Sequence, residues 1–258
     1  MVKRQTENGK PKTENGIIMG TSTARRAPTS RAWRQAKAAA TRYLSPESSA
    51  PVTAREVAAR YMSALEESGQ EAGGALAAFA RARKMAQNLG EFCQQAREQG
   101  RPKALAHWQL ADLLAQSPDA AAHGLAAAWL QGILGLEEAS LRPALISRLA
   151  MILSALSEPP AGCSAPEASL EVTGFLASVL YHRLVFDLGE SLEAAAPGWR
   201  RFSEGLAGLK AELTQAAEAG ADEAPAPADW QGLEGWLWVT RVLEGMLDHL
   251  AQKDLVSK

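Results

Sequence analysis

The stretch Ala168–Glu190, "ASLEVTGFLASVLYHRLVFDLGE", decides the fold class. It is apolar on nearly every side when wound as a helix. A helix apolar all round is enclosed by others, so the segment reads as a buried central helix of a helical bundle. No alternating apolar/polar run that would mark a strand occurs anywhere in the chain.

Outward from this segment the same period recurs. Thr53–Ser68 opens with Thr53 and Glu56 at capping-box spacing and carries Val57, Tyr61 and Leu65 as a stripe. From about Glu71 to Gln99, Leu76, Phe79, Ala86, Leu89, Cys93 and Ala96 recur every three or four residues. Gly100 and Pro102 end that helix and start the next, which carries Leu105, Trp108 and Leu113 and halts near Ser117–Asp119. Further helices are expected over about Asp119–Leu134, with Leu125, Trp129 and Ile133, and over about Glu138–Leu156, with Leu141, Leu145, Leu149 and Ile152. Pro143 is placed in or near the first turn of the latter, where proline is tolerated. A weaker helix follows from Trp199 to Ala219, and a last one runs from about Trp230 to Gln252. In that last helix Trp236, Val239, Leu243, Met246 and Leu250 form a 3-4 seam. Loops are expected near 157–167 and 219–229, both rich in proline and alanine. The expected fold is therefore all-α, a compact bundle of about seven to nine helices, with short connections that favour antiparallel neighbours.

Composition agrees. The 258 residues are 47% apolar, largely through alanine, with few aromatics and few β-branched residues. The net charge of -2 hides an asymmetry. Residues 1–42 hold ten Lys or Arg and two Glu, a local balance of +8, and the remainder balances at -10. A basic arm on an acidic body suits a polyanionic or acidic partner. Residues 1–29 read as a disordered extension and basic arm, and 30–258 as a single helical domain. Cys93 and Cys163 are far apart and share no CxxC spacing, so a reducing cytoplasm is the expected setting. No secretory leader pattern and no strictly apolar run of membrane-spanning length appears.

The arm divides in two. Residues 30–44, with Ser30 as N-cap, read as a short amphipathic helix with Trp33, Ala36, Ala40, Tyr43 and Leu44 on one face. Trp33 and Tyr43 are expected to dock on the bundle. Arg31, Arg34, Lys37 and Arg42 lie largely on another face, and with Arg25 and Arg26 they form a basic set able to neutralise phosphates. The alanine face is too weak for stable insertion into lipid, which argues against a membrane partner. Ahead of the helix, "MGTST" at Met19–Thr23 follows a polar stretch in which "TENG" occurs twice. Met19 is a candidate start.

No catalytic or metal motif stands out. His107, His123, His182 and His249 have no ligand spacing between them, and GxSxG, Walker and Rossmann patterns are absent. The expectation is a non-enzyme with no cofactor. Gly232, Gly235 and Gly245 are expected to permit close helix contact.

The start Met19-Gly20-Thr21-Ser22, a following proline-containing stretch of small residues and a helical body resemble the small helical B component of Qat-type anti-phage defence operons. Arg25–Arg26 and the basic helix depart from that family's Gly/Pro-rich start. The resemblance implies a non-enzymatic partner of an ATPase, a queuosine-pathway-like enzyme and a metal-dependent nuclease. It also implies that Gly20, Thr21 and Ser22 form a tail presented to the queuosine-pathway-like enzyme, with modification at the Gly20 amine. Two readings follow: an adaptor that presents this tail, or a helical nucleic-acid-binding protein that uses the basic arm.

Overall fold

The computed structural model describes residues 30–46, 52–69, 74–157, 167–221 and 225–251. These form α1 (Arg31–Leu44), α2 (Ala54–Gly69), α3 (Ala80–Gln99), α4 (Arg101–His107), α5 (Pro118–Trp129), α6 (Leu136–Ser157), α7 (Ala168–Ala195), α8 (Trp199–Ala221) and α9 (Leu233–Ala251), with short 3-10 turns at Ala75–Phe79 and Ala111–Ala115. Among the described residues there is no strand. The fold is all-α.

α7 is the 28-residue hub. It packs against α1, α3, α6 and α8. In its first half Leu170 is exposed, but the stretch 172–177, with Val179 and Leu180, is buried on every side. Its second half is not. There only Leu184, Leu188 and Leu192 are buried, four residues apart, and Phe186 is exposed. The uniform apolarity of Ala168–Glu190 therefore encodes a central helix at one end and an ordinary amphipathic one at the other. One contiguous cluster of buried side chains runs from Trp33 to Leu250.

α1 and α2 pack antiparallel, since Ala32 and Trp33 at the start of α1 meet Glu67 and Ser68 at the end of α2. Arg148 of α6 meets Glu171 of α7, and Arg55 of α2 reaches both Glu212 of α8 and His249 of α9. α8 and α9 approach closely where Gly220 meets Gly245, since a Cβ on Gly245 would lie 2.7 Å from the Gly220 Cα. Gly245 thus does serve a helix contact. Gly232 and Gly235 instead accommodate their own loop, Gly232 against the Asp229 carboxylate and Gly235 against the Trp230 backbone.

Several expected boundaries are corrected. The helix expected from Glu71 begins at Ala80, because Phe79 sits at φ -112, ψ 15 and the preceding residues form a 3-10 turn. That turn is held by the Glu66 carboxylate, which accepts from the Ala75 amide at 2.6 Å. The helix expected to run through Leu113 stops at His107. Gln109 adopts φ 59, and the Gln109 and Leu110 amides donate back to the Ala106 and Leu105 carbonyls. This is a Schellman ending with glutamine in the position glycine usually holds, so no glycine flagged it. Trp108 there packs on Trp129, ring centroids 4.9 Å apart. α5 ends at Trp129 rather than Leu134, and Gly132 and Gly135 turn the chain with positive φ. Pro143 lies inside α6, not in its first turn. It denies the Ala139 carbonyl its helical donor, and Ala139 is exposed, so water can serve it.

α9 begins at Leu233, and Trp236 is not in its seam. The buried set is Trp238, Val239, Val242, Leu243, Met246 and Leu250. Trp236 is half-buried and holds the Arg83 guanidinium over its ring at 4.2 Å. α8 continues to Ala221, through the start of the expected 219–229 loop. α6 is long and apolar enough by composition to cross a bilayer. Its Leu141, Leu145, Leu149, Ile152 and Leu153 are buried in this core.

Candidate functional site

The site builds on α1. Ser30 caps it, its hydroxyl accepting from the Trp33 amide at 3.4 Å. Small side chains on one side let the helix lie close to its neighbours: Ala36, Ala39 and Ala40 are fully buried. Two aromatic residues fix its ends. Trp33 is 5% exposed; its indole N–H donates to the Ser68 hydroxyl at 2.6 Å, and its ring meets Tyr61 edge-on at 5.8 Å. The Glu67 carboxylate accepts from the Ala32 amide at 3.1 Å. Tyr43 is half-buried, and its hydroxyl donates to the Gly205 carbonyl at 3.1 Å. Burial raises the Tyr43 pKa, with Arg201 opposing, so the phenol remains a donor.

α8 supplies the seat. A Cβ on Gly205 would collide with the Leu44 side chain, and one on Gly208 would lie 2.6 Å from the Tyr43 hydroxyl. Behind Trp33, Tyr61 is fully buried and donates to Asp187 at 2.7 Å, while Arg183 pairs with the same carboxylate at 3.2 Å. The anchor of α1 therefore rests on a satisfied polar network between α2 and α7.

The outer face carries charge. Arg31, Arg34 and Arg42 are exposed and Lys37 is half-exposed. The first turn of α8 extends this row, because Arg201 donates to the Tyr43 carbonyl at 3.4 Å. Beside it Trp199 is 77% exposed and leans on Phe202 at 5.7 Å between centroids. Arg200 pairs with Glu204 at 2.9 Å. Sequence reasoning missed this part of the surface. The signal was the "WRRF" at Trp199–Phe202, two arginines flanked by aromatics at a helix start. Gly20, Thr21, Ser22, Arg25 and Arg26 lie outside the described residues, as does Cys163.

No protein-family model matches the chain, and neither a curated protein nor a solved structure matches it.

The remaining titratable groups are dispersed. Among the described residues no three His, Cys, Asp or Glu side chains gather as a metal site. Cys93 is buried in α3, and burial, then Glu171, push its thiol pKa upward, which suits packing rather than nucleophilic attack. Burial lowers the His182 pKa, and Lys210 adds to this.

Proposed function

We propose that this chain is a non-enzymatic interaction component that holds its N-terminal segment out for a partner enzyme, in a cytoplasmic anti-phage defence complex of the kind its Met19–Ser22 start resembles. The docking of α1 supports this reading. A helix pinned by Trp33 and Tyr43 gives whatever precedes Ser30 a fixed origin on the bundle surface. Gly20 lies ten residues before Ser30, which limits its reach from that origin to about 35 Å. The partners on this reading are an ATPase, a queuosine-pathway-like enzyme and a nuclease. Intact mass spectrometry of the protein from its native host is expected to show a chain beginning at Gly20 with added mass on that residue. A chain that keeps Met1 removes the reading.

A second reading is favoured by the continuity of the α1 basic face with Arg201 and exposed Trp199. Phosphates would lie along the arginines and an unpaired base would stack on Trp199. Single-stranded DNA or RNA is then expected to bind with steep salt dependence. Replacing Arg31, Arg34 and Arg42 with alanine should reduce the slope of log K against log salt by about 2. Trp199→Ala should weaken binding by about 1–3 kcal/mol at every salt concentration. Absence of binding at low salt counts against this surface.

A further inference from the structure

A cleft of ≈ 210 Å³ opens between α6, α7 and α8, lined by Arg148, Leu170, Glu171, Thr173, Gly174, Thr214 and Glu218. Its polar groups are under-used. The Arg148 guanidinium lies over Gly174, where a Cβ would collide with its Cζ. Its ion pair with Glu171 spans 3.7 Å, too long for a good hydrogen bond. The buried Glu171 Oε2 has no hydrogen-bond partner. Thr173 is 4% exposed, and its Oγ1 also lacks one. In a helix such a hydroxyl ordinarily finds a carbonyl one turn back, as Thr214 does with Lys210 at 2.9 Å.

Buried polar groups are normally paired, and two lie under-used around this cleft: the Thr173 hydroxyl without a partner and Glu171 Oε2 with only its long ion pair to Arg148. The chemistry of the lining restricts that partner. Arg148 presents a planar fork of donors suited to a carboxylate. Glu171 and Glu218 suit an ammonium and would repel an anion that brought no positive charge. A simple cation would leave the Arg148 fork unmatched.

We propose that this cleft binds a small zwitterion bearing both an ammonium and a carboxylate, in the size range of a free amino acid. The carboxylate lies on Arg148 and the ammonium lies between Glu171 and Glu218. Burial supports this placement of the ammonium. It holds the Glu171 carboxyl above its ordinary range, with Arg148 opposing, so burial penalises the ionised acid and a bound ammonium relieves the penalty. A raised carboxyl pKa contributes stability that is full below the unfolded value and lost as pH rises through the folded one. Glu171→Gln should therefore be at least as stable as the parent at neutral pH, with the difference vanishing in acid.

The test is thermal unfolding of the full chain with each standard amino acid, with propylamine and with propionate. At least one amino acid is expected to raise the midpoint by roughly 5–10 °C at a hundredfold excess over its Kd. Propylamine and propionate, each lacking one charge, should not. Glu171→Gln, which keeps the fold, should abolish the shift, and Thr173→Val should reduce it. No shift with any amino acid at millimolar concentration overturns the proposal. So does a shift that survives in Glu171→Gln, or one that propylamine reproduces alone.

Discussion

Trp33→Ala is expected to destabilise the protein by about 3–5 kcal/mol, lowering the thermal midpoint by roughly 10 °C. Three losses combine. A nearly fully buried indole leaves a cavity between α1 and α2. The edge-on contact with Tyr61 disappears. The Ser68 hydroxyl loses its donor. Trp33→Phe separates these terms. It keeps most of the ring and its contact with Tyr61 and loses mainly the hydrogen bond, so it should cost about 1 kcal/mol plus a smaller packing deficit. Hydrogen exchange supplies the second readout. In Trp33→Ala the α1 amides should exchange by local opening while α7 keeps its protection. Equal losses in the two variants, or α1 protection unchanged in Trp33→Ala, would show that the indole does not anchor the helix. The function proposed for α1 depends on this outcome, because a loosened helix no longer gives the N-terminal segment a fixed origin.

The second large effect lies where the residues before α9 meet α3. Trp230 precedes α9, is 1% exposed and rests on the backbone of α3 at Gly90, where a Cβ would enter the indole. The Gln87 amide donates to the Trp230 carbonyl at 2.9 Å and to the Gly232 carbonyl at 3.1 Å. The Asp229 carboxylate accepts from the Gln231 and Gly232 amides. The indole also meets Trp238 at 5.2 Å. Trp230→Ala should cost about 3–5 kcal/mol. Gly90→Ala should cost about 1–3 kcal/mol in the parent, since the overpacked methyl outweighs the helical preference for alanine. In the Trp230→Ala background the clash is gone, and the same substitution should stabilise by up to about 1 kcal/mol. That reversal of sign in a double-mutant cycle is the diagnostic. If Gly90→Ala is stabilising in both backgrounds, the indole does not occupy the notch.

The contrast between Trp33 and Trp230 shows what the sequence made legible. Trp33 could be placed because it falls on the alanine face of a helix with a recognisable cap, so periodicity alone points it inward. Trp230 sits one turn outside its helix, and its partner is a glycine 140 positions earlier; no local pattern pairs them. The same reason applies to Gln109, which takes a positive φ next to Trp108, itself packed on Trp129, with no glycine to mark the turn. Spacing alone puts Trp236 in the seam with Val239, Leu243, Met246 and Leu250; those four are buried, but at the first turn of α9 the inward place goes to Trp238 and Trp236 takes Arg83. The apolar residues of Ala168–Glu190 announced a central helix but not where its enclosure ends, because that depends on neighbours remote in sequence. The cleft at Arg148 was invisible for the same reason. Its lining comes from three helices, and each contributing residue looks like an ordinary surface charge or hydroxyl in its own segment.

The seat of α1 on α8 has a consequence for the order of events during synthesis. Leu44 closes over Gly205, a residue made 161 positions later. At ribosomal speeds the first helix therefore waits roughly 8–30 s for the surface that completes its burial. During that interval Leu44 and its alanine face can meet α2 first, and α7 only towards its end. A nascent chain stalled before residue 205 would expose them, while the N-terminal segment is already long clear of the ribosome. Whatever recognises that segment can thus encounter it before the bundle that anchors it exists.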